Sequence, residues 1–153
     1  TGNSKKRKIT LQGIGTFTLF WSRDISGDVK TVTLFRDSCG DWHVTFACEN
    51  PILDQLSPSD ETIGIDLGIE HFLSTSNGEH INNPRFLQKQ LQDIRLLHRK
   101  VSKCFTNSQN YKKRTIQLKK RYRTIARSRR DFHFKTALHL LTKYQTIVVE
   151  DLQ

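Results

Sequence analysis

The pattern of apolar and polar positions changes character twice along the chain. In the first fifty residues the two kinds alternate, as they do on half-buried strands, and residues 14–21, 29–36 and 42–49 each read as one. In the last of these, Trp42, Val44, Phe46 and Cys48 share one face, and His43, Thr45 and Ala47 share the other. Turn chemistry separates the strands, first Asp24-Ile25-Ser26-Gly27-Asp28 and then Asp37-Ser38-Cys39-Gly40-Asp41. Three strands leave open edges, so residues 1–50 predict part of a small antiparallel β-barrel rather than a whole one. Residues 51–60 (PILDQLSPSD) read as the linker that follows.

A second unit covers 61–153. Residues 61–68 alternate again, with Ile63, Ile65 and Leu67 on one side and Gly64 and Asp66 on the other. Residues 72–76 and 79–82 flank Asn77-Gly78, which predicts a hairpin with a type I′ turn. From Pro84 the period lengthens. Leu87, Leu91, Ile94, Leu97 and Val101 recur at three- and four-residue spacing, which predicts a helix, and 105–110 reads as a loop. A second helix is expected over 112–144, carried first by Ile116, Leu118, Tyr122 and Ile125, then by Phe134, Ala137, Leu138, Leu141 and Tyr144. Its thinly apolar first half is expected to protrude with the preceding helix as a hairpin over 84–128, while its second half packs on the sheet. Residues 146–150 form a nearly continuous apolar run, the mark of a buried parallel strand. The order of elements predicts an α/β (α+β overall) chain. A partial barrel precedes a ribonuclease-H-like unit whose first crossover has grown into a helical hairpin.

Charge sharpens this picture. The 153 residues carry a formal +10, but 85–135 alone carry +15, and the rest carries −5. A solvated helical face explains a short basic run. A block of about 50 residues with this charge points instead to a polyanion, and above all to nucleic acid. The candidate contacts are Lys100, Lys103, Lys112, Lys113, Arg114, Lys119, Lys120, Arg121, Arg123, Arg127, Arg129 and Arg130. Lys5-Lys6-Arg7-Lys8 reads either as a solvated tail or as a further contact. No apolar run approaches the ~20 residues that span a bilayer, so no membrane partner and a cytoplasmic, nucleoid-associated location are expected. Cys39, Cys48 and Cys104 form no CxxC pair, and Zn²⁺ is not expected here. The chain has no methionine and reads as a piece of a longer or processed polypeptide.

Two carboxylates stand apart from this pattern. Asp66 lies within an apolar strand and Glu150 ends one. A charge inside a buried strand costs several kcal/mol unless it is paired or metal-bound. If the two strands are parallel neighbours, both acids emerge at the same end of the sheet, where α/β folds place their ligands. Converging carboxylates without a nearby Lys or Arg repel each other unless a hard divalent cation, Mg²⁺ or Mn²⁺, neutralises them. Two such ions about 3.5–4 Å apart support phosphodiester displacement. The structural alternative gives Asp66 a hydrogen bond beside Gly64 and Gly68 and leaves Glu150 an exposed strand end.

The stretch IGIDLGIEHFLSTSNGEHINNPR, the basic helices, RSRRDFHFKTALHLLTKY and the closing IVVEDL together resemble the OrfB/TnpB family of insertion-sequence proteins, relatives of the miniature type V CRISPR nucleases. Residues 9–50 resemble the latter part of that family's wedge β-barrel. The resemblance implies that Asp66 and Glu150 are the first and second acids of a RuvC-like nuclease that uses two Mg²⁺ (or Mn²⁺) ions. It also implies a guide RNA and a target DNA as partners and no small-molecule substrate. The family's helical recognition insert, zinc ribbon and third catalytic Asp have no counterpart in these residues. The chain alone is therefore expected to be inactive, with a non-catalytic RNA- or DNA-binding protein as the alternative. An Hsp70-type ATPase shares a GIDLG-like strand, but its second lobe does not fit this length.

Overall fold

A computed structural model describes residues 6–22, 24–49 and 59–150. Among these, strands β1–β4 make up one compact unit. The Arg36–Asp41 turn, four further strands and the helices make up a second.

In the first unit β1 (Lys6–Leu11) pairs antiparallel with β2 (Gly15–Phe20), from Lys6↔Phe20 to Leu11↔Gly15. β3 (Asp28–Arg36) pairs with β4 (Trp42–Glu49). The four described strands thus form two separate two-stranded sheets and no closed barrel. β1 has no counterpart among the three expected strands, because Lys6-Arg7-Lys8 hides its alternation. Instead of trailing in solvent, Arg7 stacks its guanidinium 4.7 Å from the Trp21 ring and pairs with Asp24 at 3.3 Å. Arginine side chains commonly cover apolar surface in this way while keeping the charge wet. In β4 the expected inner face holds for Val44, Phe46 and Cys48, but Trp42 is largely exposed.

The second unit is built on a four-stranded sheet of order β7-β6-β5-β8. β5 (Ser59–Asp66), β6 (His71–Thr75) and β7 (His80–Asn82) run antiparallel in sequence, and β8 (Tyr144–Val149) joins β5 in parallel. The linker expected at 51–60 lies outside the described residues except for Ser59 and Asp60, which already belong to β5. The β6–β7 connection is not the expected type I′ turn. Asn77 is not among the residues with positive φ, Gly78 alone takes φ +81°, and Thr75 bonds both Gly78 and Glu79. Ser76-Asn77-Gly78 is therefore a three-residue hairpin loop whose last position needs glycine.

Between β7 and β8 the chain crosses over through α1 (Phe86–Lys89), α2 (Leu91–Ser102) and α3 (Gln109–Lys143). The single helix expected from Pro84 is broken at Gln90, whose φ/ψ of −111°/6° leaves the helical basin. α3 starts where Ser108 Oγ accepts from the Tyr111 amide, then continues for 35 residues that contain no Gly or Pro. It is about 50 Å long at 1.5 Å per residue. Its C-terminal part packs Leu140 with Ile63, Leu73 and Tyr144, and Ile65, Phe72, Ile81 and Ile147 surround this core. Its N-terminal part packs on α2, where Ile94 and Ile125 are both buried.

Among the described residues, only one face of the sheet is covered in this way. Val148 and Val149 are 54% and 61% exposed, so the apolar run of β8 marks a parallel edge strand rather than a buried one. Ile63 is fully enclosed. Ile63→Ala is expected to destabilise the chain by about 2–5 kcal/mol, read as a lowered urea midpoint at unchanged m-value.

Candidate functional site

The parallel register of β5 and β8 runs from Thr62↔Thr146 through Ile65↔Val149. One step further along the same register lie Asp66 and Glu150. Side chains alternate along a strand, so both acids share the face of Gly64 and Val148, opposite the face that Ile63, Ile65 and Ile147 present to the core. Asp66 is also the cross-strand partner of Ser74. The two carboxylates line one shallow cleft with Gly64, Ser74, Thr75, Ser76 and Val148. Its floor is low because Gly64 has no side chain and Ser76 lies against it, with Gly64 N donating to Ser76 Oγ at 3.2 Å.

Both acids are exposed, which corrects the premise that Asp66 is desolvated inside its strand: it is the last residue of β5. The structural alternative, a hydrogen bond that occupies the Asp66 carboxylate, is not observed among the described residues. No hydrogen bond or ion pair is found for the Glu150 carboxylate there either. Gly68 closes the loop behind Asp66 so tightly that a Cβ would lie 3.0 Å from the His71 carbonyl oxygen. Two free carboxylates on one open face form a hard-oxygen donor pair suited to Mg²⁺ or Mn²⁺. No group of three or more His, Cys, Asp or Glu gathers around them among the described residues.

The basic candidates fall on α2, its C-cap and α3. Lys113, Lys120 and Arg127 recur every seven residues, two helical turns, and line one exposed side of α3. Tyr111, Leu118, Ile125 and Phe132 repeat at the same interval on the other side and are buried or half-buried. Lys112, Lys119, Arg129 and Arg130 are exposed on α3, as are Lys100 on α2 and Lys103 at its C-cap. Arg114 Nη1 donates to Gln117 Oε1 at 3.4 Å.

Two others of the twelve form ion pairs within the protein. Arg121 pairs with Asp93 of α2 at 2.5 Å, and His98 Nε2 lies 3.1 Å from the Tyr122 hydroxyl, so both helices of the hairpin are tied together. Arg123 bonds Asp37 and Asp41 of the 37–41 turn. Those bonds, to Asp41 first and then to Asp37, raise its pKa above the ordinary arginine value. Asp37 is the centre of this latch, since its Oδ1 also accepts from the amides of Cys39 (2.9 Å) and Asp41 (3.0 Å). Sequence reasoning saw Asp37 and Asp41 only as turn formers. No local pattern announces a partner 86 residues away.

Asp37→Ala leaves Arg123 with Asp41 alone, and Arg123→Ala takes the guanidinium from Asp37, so the two variants are expected to lower thermal stability non-additively. The double variant should be no less stable than the worse single one, and additive losses would show that the contact carries no coupling.

No helix among the described residues is long and apolar enough to cross a membrane. Comparison with known proteins gives consistent relatives. Over 137 residues the chain is 34% identical to a Streptomyces pristinaespiralis protein named "Putative RNA-guided DNA endonuclease", covering 86% of this chain and 33% of the relative. It is 27% identical over 151 residues to "Putative RNA-guided DNA endonuclease InsQ" of Escherichia coli (strain K12), covering 99% of this chain and 37% of the relative. A Mycobacterium tuberculosis protein named "Putative RNA-guided DNA endonuclease Rv2885c" is 26% identical over 161 residues, which cover 96% of this chain and 35% of the relative. The chain thus spans about a third of the length of the curated relatives it matches. The OrfB_IS605 family, described as "Probable transposase", matches residues 43–153, most of the chain, and the chain belongs to that family.

Proposed function

We propose that this chain contributes the first two catalytic carboxylates and a nucleic-acid-binding helical hairpin to an RNA-guided, divalent-metal-dependent DNA endonuclease. The observation that carries the reading is the convergence of Asp66 and Glu150 on one open sheet face, in the same unit as the basic α3 helix. The relatives' names supply the guided-nuclease context. The sheet order β7-β6-β5-β8, three antiparallel strands and a parallel fourth, supports a RuvC-like, RNase-H-type unit.

In this reading Asp66 and Glu150 are the ligands of Mg²⁺ or Mn²⁺. The bound cation would supply Lewis-acid stabilisation of the oxygens in phosphodiester cleavage. The chain's own residues orient the carboxylates. The β5–β8 register sets their spacing, and the small residues Gly64, Ser74 and Ser76 leave room for a phosphate backbone. α3 holds guide RNA or the guide–target duplex through phosphates, while base pairing reads the sequence. The location that follows is the nucleoid. Two carboxylates leave the site short of a ligand, so by itself the chain binds nucleic acid without cutting it.

In the full-length protein, Asp66→Ala and Glu150→Ala are each expected to abolish target cleavage while guide-RNA affinity stays within about twofold. Retained cleavage by either variant would remove that residue from the site. Lys113→Ala/Lys120→Ala/Arg127→Ala is expected to weaken RNA binding and to flatten the slope of log K against log salt by about 2–3. An unchanged slope would mean that this side of α3 is not the footprint.

A further inference from the structure

A second cleft of the α/β unit lies away from the carboxylates. It is about 460 Å³, within the range of small-ligand sites, and Phe72, Asn83, Pro84, Phe86, Leu87, Phe132 and His133 form much of its wall. Its rings form a connected set. Phe72 meets Phe132 edge-on at 4.9 Å and lies flat against His133 at 5.1 Å and 17°, and Phe86 meets Phe132 at 6.0 Å and 72°. Arg85 and Arg129 also line the cleft, and no acid does. Neither guanidinium has a hydrogen-bond or ion-pair partner among the described residues.

The backbone at this cleft is held in a costly form. Arg85 has φ +48°, a left-handed conformation that non-glycine residues rarely adopt. Asn83 maintains it: Oδ1 accepts from the Arg85 amide at 3.0 Å, and Nδ2 donates to the Ile69 carbonyl at 3.0 Å. An apolar-aromatic floor explains burial of the rings. It does not explain two unpaired arginines at the same opening.

We infer that this cleft takes one unstacked nucleobase of a single-stranded segment, stacked against the Phe86/Phe132/His133 rings, with the adjoining phosphates bound by Arg85 and Arg129. Aromatic faces accept any base, and guanidinium groups match phosphate geometry, so the combination recognises a nucleotide without reading its identity. The inference rests on the nucleic-acid reading given above and adds to it a single-strand site separate from the α3 stripe.

The test uses the full-length protein and a 12-nucleotide single strand carrying one central 2-aminopurine, made as RNA and as DNA. Wild-type protein should quench the 2-aminopurine emission on binding. Phe86→Leu, which keeps an apolar side chain but removes the ring, should lose most of that quench. Arg85→Gln, at an exposed position outside α3 that should not affect folding, should weaken single-strand affinity about fivefold to tenfold and leave duplex affinity unchanged. A stronger effect on the RNA strand would assign the occupant to the guide, and a stronger effect on the DNA strand would assign it to the target. Both results support the cleft. Wild-type quench and affinity in both variants, with binding still weakened by the Lys113/Lys120/Arg127 substitutions, would overturn the cleft alone. Failure of every oligonucleotide to bind would overturn the nucleic-acid reading and the cleft together. Selective loss of an acidic peptide, but not of the oligonucleotide, in the two variants would assign the cleft to a protein partner and overturn the inference.

Discussion

The parallel pairing of β5 with β8 is the constraint on which the α/β unit depends. Parallel neighbours cannot be joined by a tight turn, so the chain must leave the sheet and return from the opposite end. It does so through α1, α2 and the 35-residue α3. One pairing therefore has three consequences. It lays the C-terminal part of α3 over one sheet face and closes the core around Ile63 and Leu140. It makes room for a basic hairpin within the crossover. It also brings Asp66 and Glu150, far apart in sequence, side by side on the uncovered face.

Charge is sorted by the same arrangement. The acids of the hairpin and the 37–41 turn are matched internally, Asp93 with Arg121, and Asp37 and Asp41 with Arg123. The exposed Asp93–Arg121 pair contributes little stability, whereas the Arg123–Asp37 pair is more enclosed and carries more of it. Lys113, Lys120 and Arg127 keep no ion-pair partner on one side of α3, and no cation lies beside the carboxylates on the sheet, among the described residues. A polyanion drawn to the helix and a divalent ion drawn to the sheet would then meet on one chain without neutralising each other's sites.

Much of this was legible in the sequence, and the failures have physical causes. Long periodic elements were clear: α3 begins within three residues of its expected start, and β3 and β4 within one of theirs. The carboxylate pair was legible because an acid in an apolar strand is conspicuous, although Asp66 is exposed at the strand end and pays no desolvation cost there. The β1 strand was hidden because Arg7 fills an apolar role against Trp21 while carrying a charge. The Asn77-Gly78 turn was misread because a dipeptide does not fix loop length, which depends on the register of the flanking strands. The Asp37–Arg123 latch and the aromatic cleft join residues distant in sequence, and only folding puts them together. The resemblance to the OrfB/TnpB family held, because its motifs spread over nearly the whole chain.

The central claim, that Asp66 and Glu150 hold a divalent cation, is tested most directly by Mn²⁺ titration of the full-length protein followed by electron paramagnetic resonance. The account predicts a bound-Mn²⁺ signal in the wild type that Asp66→Asn and Glu150→Gln each weaken at least tenfold, with the fold preserved by circular dichroism. Bound Mn²⁺ of unchanged stoichiometry and affinity in both variants would contradict it.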